Sequence, residues 1–135
     1  GSELGWPPQS VVKAREVLES GSRAMQIAER AGVKMAFGTD LSKTPEAMCD
    51  EILTRAEFQM PAQIISSLTV VGAEVVRMKD RIGVIKEGAL ADLLVIDGNP
   101  LEDIKLLTED GAFMSAIMKE GALIKDELGI GDAAD

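Results

Sequence analysis

Histidine is absent from this chain of 135 residues, and cysteine occurs once, at Cys49. A single cysteine excludes an internal disulfide and is compatible with a reducing compartment. Because neither a histidine nor a second cysteine is present to activate the thiol, we predict that Cys49 is an ordinary buried or half-buried side chain. Without histidine, the commonest metal ligand in proteins, any exposed aspartate or glutamate of this chain must act without imidazole neighbours from the same chain.

Basic residues are also scarce. Lys and Arg number 14 against 23 Asp and Glu, which gives a net charge of −9, and no basic stripe is present. A nucleic-acid backbone or an anionic membrane repels such a chain on average. No signal peptide is recognised, and no apolar run approaches the roughly 18 residues of a membrane-spanning helix. We therefore expect a cytoplasmic protein that binds neither nucleic acid nor membranes.

The remaining composition is ordinary. Hydrophobic residues make up 46% of the chain and charged residues 27%, which fits one soluble globular domain or a fragment of a larger one. A chain of this length can bury roughly two thirds of its unfolded surface if it closes on itself. Because composition does not distinguish a complete domain from a fragment, the organisation of the chain is inferred from the pattern of polar and apolar residues.

The first part of the chain predicts a helix followed by a strand. Glycine often follows a helix C-terminus, so Ala31-Gly32 is expected to end the helix that follows Trp6-Pro7-Pro8. Residues 33–37 are apolar apart from Lys34 and too few for a helix, which predicts a strand covered on both faces. The apolar stripe of the helix consists of Val17, Leu18, Gly21, Ala24, Met25 and Ala28.

Two more helices are predicted after this strand. Thr44, Pro45 and Glu46 fit an N-cap, a first-turn proline and an early acid that the helix dipole favours. Pro61 separates this helix from the next. The first helix is expected to bury Met48, Ile52, Leu53 and Ala56, and the second Ile64, Ile65, Leu68, Val71, Gly72, Val75 and Met78. Together with the strand, these helices indicate an α/β fold.

From Asp80 onward the pattern changes to short extended pieces between glycine-containing turns. Leu93–Ile96 is a strongly apolar predicted strand. Residues 113–118 and 122–124, on either side of Glu120-Gly121, predict a β-hairpin. The intervening residues 101–107 fit a short helical turn or an irregular connection.

These patterns divide the chain near Met78. Residues 7–78 are predicted to be α/β material, residues 79–125 β material, and residues 126–135 a polar, frayed tail. Neither half is expected to be self-sufficient, because a buried parallel strand needs parallel neighbours and short strands leave unpaired edges. We therefore expect self-association through exposed edges and apolar surface.

Asp40 is the candidate functional residue. It follows the predicted strand and Gly38-Thr39, where an aspartate can be a metal ligand or a general base, or can accept backbone N–H bonds within a turn. Asp92 precedes an apolar strand and is predicted to make a structural hydrogen bond there. Glu46, Glu51 and Glu57 are predicted to lie on solvated helix faces.

Two segments resemble the C-terminal part of the metal-dependent amidohydrolase superfamily, in its imidazolonepropionase-like and Xaa-Pro dipeptidase-like branch. AGVKMAFGTD, residues 31–40, looks like the last strand of that family's (β/α)8 barrel with its metal-site aspartate. Residues 80–104 look like the return of the chain into a small β-sandwich. This second segment carries the family's scaffold motif in Gly83, Ile85, Gly88, Ala91, Asp92, Leu93 and Val95.

The resemblance implies the last αβ units of a TIM-type barrel, followed by part of a β-sandwich. It also implies a divalent metal, zinc above all, and a role for Asp40 as a metal-site residue that accepts the proton of the attacking water and passes it to the leaving group. The family's histidines, however, have no counterpart here. A lone carboxylate cannot supply the roughly three protein ligands of a catalytic zinc. We therefore predict no tight metal site and no hydrolysis by this chain alone.

The resemblance implies a small amide substrate for the complete enzyme, either a dipeptide with a C-terminal proline or a small cyclic amide. The alternative function is a non-catalytic structural or interaction piece that needs a partner chain to complete its fold.

Overall fold

The computed structural model describes residues 7–40 and 44–131. The chain divides into two compact units, and the first ends at Met35 and the second begins at Ala36. The first unit contains helix α1, Pro8–Arg30. The Val33 N–H closes the end of α1 by donating to the Ala28 carbonyl, 3.0 Å away, while Gly32 adopts φ 68°. The predicted end of the helix at Ala31-Gly32 is therefore confirmed.

The second unit contains three helices, a single turn of 3₁₀ helix and three strands. In chain order these are α2 Pro45–Ala56, α3 Pro61–Leu68, α4 Val70–Val75, β1 Leu93–Ile96, the 3₁₀ turn Ile104–Leu107, β2 Met114–Lys119 and β3 Ala122–Asp126. The predicted division near Met78 falls inside this unit and stays a prediction about the complete fold. Within the described part of the chain, no helix is long and apolar enough to cross a membrane.

Helix α2 begins as the sequence predicts. Thr44 is the N-cap, and its Oγ1 accepts a hydrogen bond from the Ala47 N–H at 3.3 Å. Pro45 occupies the first turn, where its missing N–H costs nothing. The predicted start of α2 is therefore confirmed, and the same helix carries the buried residue Arg55.

The predicted single helix from Pro61 to Met78 is wrong, because the chain breaks at Thr69. Thr69 has φ −115° and ψ −93°, outside the helical region, and it separates α3 from α4. Its hydroxyl donates to the Ile65 carbonyl at 2.7 Å. A threonine hydroxyl that bonds to the preceding turn in this way competes with regular helical hydrogen bonding, which gives the break a local cause.

Gly83, the first glycine of the scaffold motif, lies against this break. A Cβ atom at Gly83 would be 2.6 Å from both the carbonyl carbon and the carbonyl oxygen of Thr69. Its φ is 71°, a conformation that residues with a side chain rarely adopt. Glycine is therefore required here both for its backbone conformation and for the close approach of two backbones.

The three strands form an antiparallel sheet in the order β1-β2-β3, so the predicted strand Leu93–Ile96 and the predicted hairpin are confirmed. Lys119 pairs with Ala122 across the two-residue turn. Glu120 and Gly121 have φ 52° and 85°, the positive values that a tight hairpin turn requires. The short extended pieces predicted before β1 do not form strands, since residues 80–92 are turns and irregular backbone.

The strand predicted at residues 33–37 does not form in this chain, because residues 33–39 are neither helix nor strand. Residues 36–39, which belong to the second unit, have one backbone hydrogen bond to another element, from the Phe37 N–H to the Ser67 carbonyl at 3.2 Å. A buried parallel strand is defined by a ladder to its neighbours, and one bond does not make a ladder. The described residues contain the three-stranded sheet and mixed α/β elements, but neither a closed barrel nor a sandwich.

The apolar core of the second unit is small. Ile52, Ile64 and Ile104 are buried together, with Phe37, Ile65, Leu68 and Leu107 packed against them. Several side chains predicted to be buried are exposed instead, because no described element covers them. These are Met48 at 46%, Leu53 at 37% and Val75 at 67% exposure, with Ala56 also on the surface.

Candidate active site

Asp40 lies at the end of the irregular segment 36–40 of the second unit. It is exposed, and its φ of 55° places it in the left-handed region, which aspartate tolerates better than most residues. No residue of the described ranges 7–40 and 44–131 donates a hydrogen bond to its carboxylate.

Two residues attach segment 36–40 to the helices. The Ser67 carbonyl of α3 accepts the Phe37 N–H, and Ser67 itself is 2% exposed. From α2, Arg55 Nη2 donates to the Ala36 carbonyl at 3.1 Å. The Arg55 guanidinium also lies over the Phe37 ring, 5.0 Å from its centroid, which is cation–π geometry.

Arg55 is buried, with 4% of its surface exposed. Its charge is balanced by Glu51, whose Oε1 accepts from Arg55 Nε at 2.6 Å. The prediction that Glu51 is a solvated acid is therefore wrong: its side chain is 26% exposed and forms an ion pair one helical turn from Arg55. Glu46 and Glu57 are exposed, as predicted.

The residues present do not fit a metal centre by themselves. Among residues 7–40 and 44–131, no three His, Cys, Asp or Glu side chains form a group that could hold a metal ion. A catalytic zinc takes about three protein ligands, and Asp40 can supply one. Any metal site that includes Asp40 therefore needs ligands from outside the described residues.

Asp92 has the structural role that the sequence predicts. Its Oδ2 accepts from Lys119 Nζ at 2.7 Å, and its Oδ1 accepts the Glu120 N–H at 2.8 Å. These contacts tie the start of β1 to the hairpin turn, helped by the Gly121 N–H donating to the Ala91 carbonyl at 3.1 Å. The hydrogen bond from Lys119, followed by that from the Glu120 backbone, lowers the pKa of Asp92.

Cys49 is half-buried, as predicted. Desolvation raises the pKa of its thiol, and the negative charges of Asp110, Asp50, Glu46 and Glu109 raise it further. A thiol shifted in this direction stays protonated at neutral pH and is a poor nucleophile.

Sequence reasoning missed Arg55. The spacing of Glu51 and Arg55 predicts an ion pair on one helix face, so that part could have been found. The contacts with Ala36 and Phe37 join residues 19 and 18 positions apart (55 − 36 and 55 − 37) and leave no local signal.

Comparison with known proteins identifies the relatives of the chain. The sequence profile described as "Amidohydrolase family" matches residues 2–121. The crystal structure of an amidohydrolase is 45% identical, with a TM-score of 0.79 over 90% of this chain and 30% of that chain. That of a prolidase complexed with N-methylphosphonate-L-proline is 41% identical, with a TM-score of 0.78 over 93% of this chain and 31% of that chain.

A curated relative is the ochratoxinase of Aspergillus niger, which is 32% identical over 123 residues. The match covers 90% of this chain but 25% of the ochratoxinase. The chain therefore spans about a quarter of the length of the curated relatives that it matches.

Proposed function

Since this chain belongs to the amidohydrolase family, we propose that it is one part of a metal-dependent hydrolase that cleaves the C–N bond of an amide or cyclic amide. The observation that carries the proposal is the family match over residues 2–121, which includes Asp40. The similarity to the amidohydrolase structure, 45% identical with a TM-score of 0.79, supports it.

We further propose that residues 7–78 belong to the end of a (β/α)8 barrel and residues 79–125 to a small β-sandwich. Active sites of such barrels lie at the C-terminal ends of the strands. The position of Asp40 after segment 36–39, which approaches α3 through Phe37 and Ser67, is compatible with such a strand end. In the complete barrel, neighbouring strands would supply the ladder that the segment lacks here.

Asp40 is the proposed catalytic residue. Its carboxylate accepts the proton of the attacking water and returns it to the leaving nitrogen, which is general acid–base chemistry. Exposure and the absence of donors from the described residues support this role. In the complete site Asp40 would supply one ligand of a divalent metal, zinc by preference, which would polarise the scissile carbonyl, and the other ligands would come from outside the described residues.

The proposed substrate is a dipeptide with a C-terminal proline. The prolidase structure, 41% identical, is complexed with N-methylphosphonate-L-proline, which supports this class. A small cyclic amide is the second substrate candidate. The name of the ochratoxinase relative suggests a third, the amide of an ochratoxin.

The test uses this chain alone and the longer protein encoded with the sequence upstream of residue 1. We expect hydrolysis by the longer protein and none by the chain alone. Asp40→Asn should lower kcat by about 10²- to 10⁴-fold, the usual contribution of a general acid–base residue. Asp92→Asn is the matched control, because Asp92 bonds to the hairpin turn. Robust turnover by the isolated chain, or full activity of Asp40→Asn, contradicts the proposal.

The second candidate function is a structural piece that associates with a partner or with itself. Its specific support is the exposed apolar surface, which includes Val75 at 67%, Leu94 at 52% and Ile124 at 68% exposure. Exposed apolar side chains mark an interface where they form a contiguous patch, whereas single ones are ordinary. Sedimentation velocity should show concentration-dependent association of the isolated chain, whereas a monomer at all concentrations contradicts this candidate.

A further inference from the structure

Arg55 combines three contacts that no other described residue combines. Nε donates to Glu51 at 2.6 Å, Nη2 donates to the Ala36 carbonyl at 3.1 Å, and the guanidinium lies 5.0 Å from the centroid of the Phe37 ring. Two of these contacts are with the segment that leads to Asp40. They are made from a side chain that is 5% exposed.

The geometry requires arginine rather than any cation. A planar guanidinium can direct N–H groups to two acceptors while its face covers an aromatic ring. A lysine ammonium is a point charge and cannot do both in one orientation. The arrangement therefore depends on the shape of the side chain as well as its charge.

Stability alone does not explain this residue. Arg55 Nη1 is buried and has no hydrogen-bond partner among the residues that the structure describes. A buried donor without an acceptor is unfavourable, and replacing a buried ion pair with apolar side chains is often neutral or stabilising. What an apolar residue cannot provide is the hydrogen bond to the Ala36 carbonyl.

We propose that Arg55 is the positioning residue of the candidate site, and that it fixes the backbone of segment 36–40 so that Asp40 is held at a defined place. The Phe37 N–H bond to Ser67 attaches the same segment to α3, so the carbonyl of one residue and the N–H of the next are both held. The effect of this positioning on catalysis rests on the proposed function, whereas the attachment of segment 36–40 to α2 and α3 does not.

Hydrogen exchange on this chain tests the attachment. Arg55→Met and Arg55→Lys should raise the exchange rate of the peptide that covers residues 36–40 about tenfold more than that of the peptide that covers β2 and β3, since a lost hydrogen bond permits local opening. Lys119→Met, which removes a cation from the Asp92 ion pair, is the matched control and should leave residues 36–40 unchanged. Equal acceleration in both peptides, no acceleration, or wild-type protection in Arg55→Lys overturns the proposal.

Kinetics of the longer protein test the consequence. Arg55→Lys should lower kcat by about tenfold to a hundredfold with little change in KM, because a small displacement of a catalytic group slows the chemical step. A raised KM with an unchanged kcat overturns the positioning role. If the unmodified longer protein hydrolyses none of the proposed substrates, the proposed function fails, and the exchange experiment still decides whether Arg55 holds the segment.

Discussion

The antiparallel sheet and the Asp40 segment of the second unit are held in opposite ways. The sheet pairs its strands through backbone ladders, with Leu94 opposite Ile117 and Lys119 opposite Ala122. Segment 36–40 has one backbone bond to another element and one bond from an arginine side chain. The sheet is therefore held by continuous ladders, of which the β2–β3 ladder joins residues close in the sequence, whereas the segment that bears the candidate site depends on two single contacts with distant residues.

The polar contacts follow the same division. Asp92 and Asp126 hold backbone N–H groups near the sheet, and Asp126 accepts from Leu128, Ile130 and Gly131 at 2.9–3.2 Å. These last contacts order the described part of the predicted tail, while residues 132–135 lie outside the described residues. Asp40 has no comparable donors in the described ranges. The carboxylates of Asp92 and Asp126 near the sheet therefore have structural hydrogen bonds that the described residues do not give to Asp40.

The largest expected effect comes from the core shared by the helices. Ile64 is fully buried, so Ile64→Ala should lower the free energy of unfolding by about 2–5 kcal/mol through lost burial and the cavity that remains. Ile85 is 92% exposed, and Ile85→Ala should change the free energy of unfolding by less than about 0.5 kcal/mol. Urea unfolding measures both. Equal losses would mean that the core around Ile64 does not hold the unit together.

A smaller loss is expected where the backbone of the second unit packs most closely. Gly83→Ala combines a positive φ with a 2.6 Å clash at the Thr69 carbonyl, whereas Gly88→Ala has a positive φ and open space. The left-handed conformation alone costs about 1–2 kcal/mol for a residue with a side chain. Thermal unfolding should show a larger loss for Gly83→Ala than for Gly88→Ala. The reverse order would remove the close-approach explanation.

The N-cap of α2 should contribute less again. Thr44→Ala removes the oxygen that accepts a hydrogen bond from the Ala47 N–H. The free energy of unfolding should fall by about 1 kcal/mol, within the range of about 0.5 to 2 kcal/mol for such caps. Thr54→Ala, at an exposed position in the last turn of the same helix, is the control. Denaturant midpoints of the two variants give the comparison. If they are equal, the cap does not stabilise the helix that carries Arg55.

The smallest expected effect is the pH dependence of the contact between Asp92 and the hairpin. Because the pKa of Asp92 is lowered in the folded state, its contribution is present above the unfolded value of about 3.9 and is lost as pH falls through the folded value. The difference in unfolding midpoint between the unmodified chain and Asp92→Asn should therefore be largest near pH 7 and shrink below about pH 4.

The Lys119→Met background supplies the control, since the ion pair is already absent there. In that background, Asp92→Asn should change the midpoint less. A difference that stays constant down to pH 3 would exclude the ion pair as its cause.

Much of the fold could be predicted because its signals are local. The cap at Thr44, the end of α1 at Gly32 and the turn at Glu120-Gly121 each depend on residues within a few positions of one another. The break at Thr69 also has a local cause, but a threonine within an apolar helical pattern is too common to predict one. Side-chain burial was predicted less well: Met48 and Leu53 fit the apolar stripe of α2 but are exposed.

The candidate site divides in the same way. The sequence by itself determined the hairpin, the end of α1, the start of α2, the family and the choice of Asp40 as its candidate residue, because these depend on adjacent residues or on a motif. The tertiary structure alone decided that residues 33–37 form no strand in this chain, that the Arg55 guanidinium lies over the Phe37 ring and that Arg55 holds Ala36. A ladder, a cation–π contact and a carbonyl contact of this kind each need partners that are distant in the chain, and local pattern carries no information about which distant residues will meet.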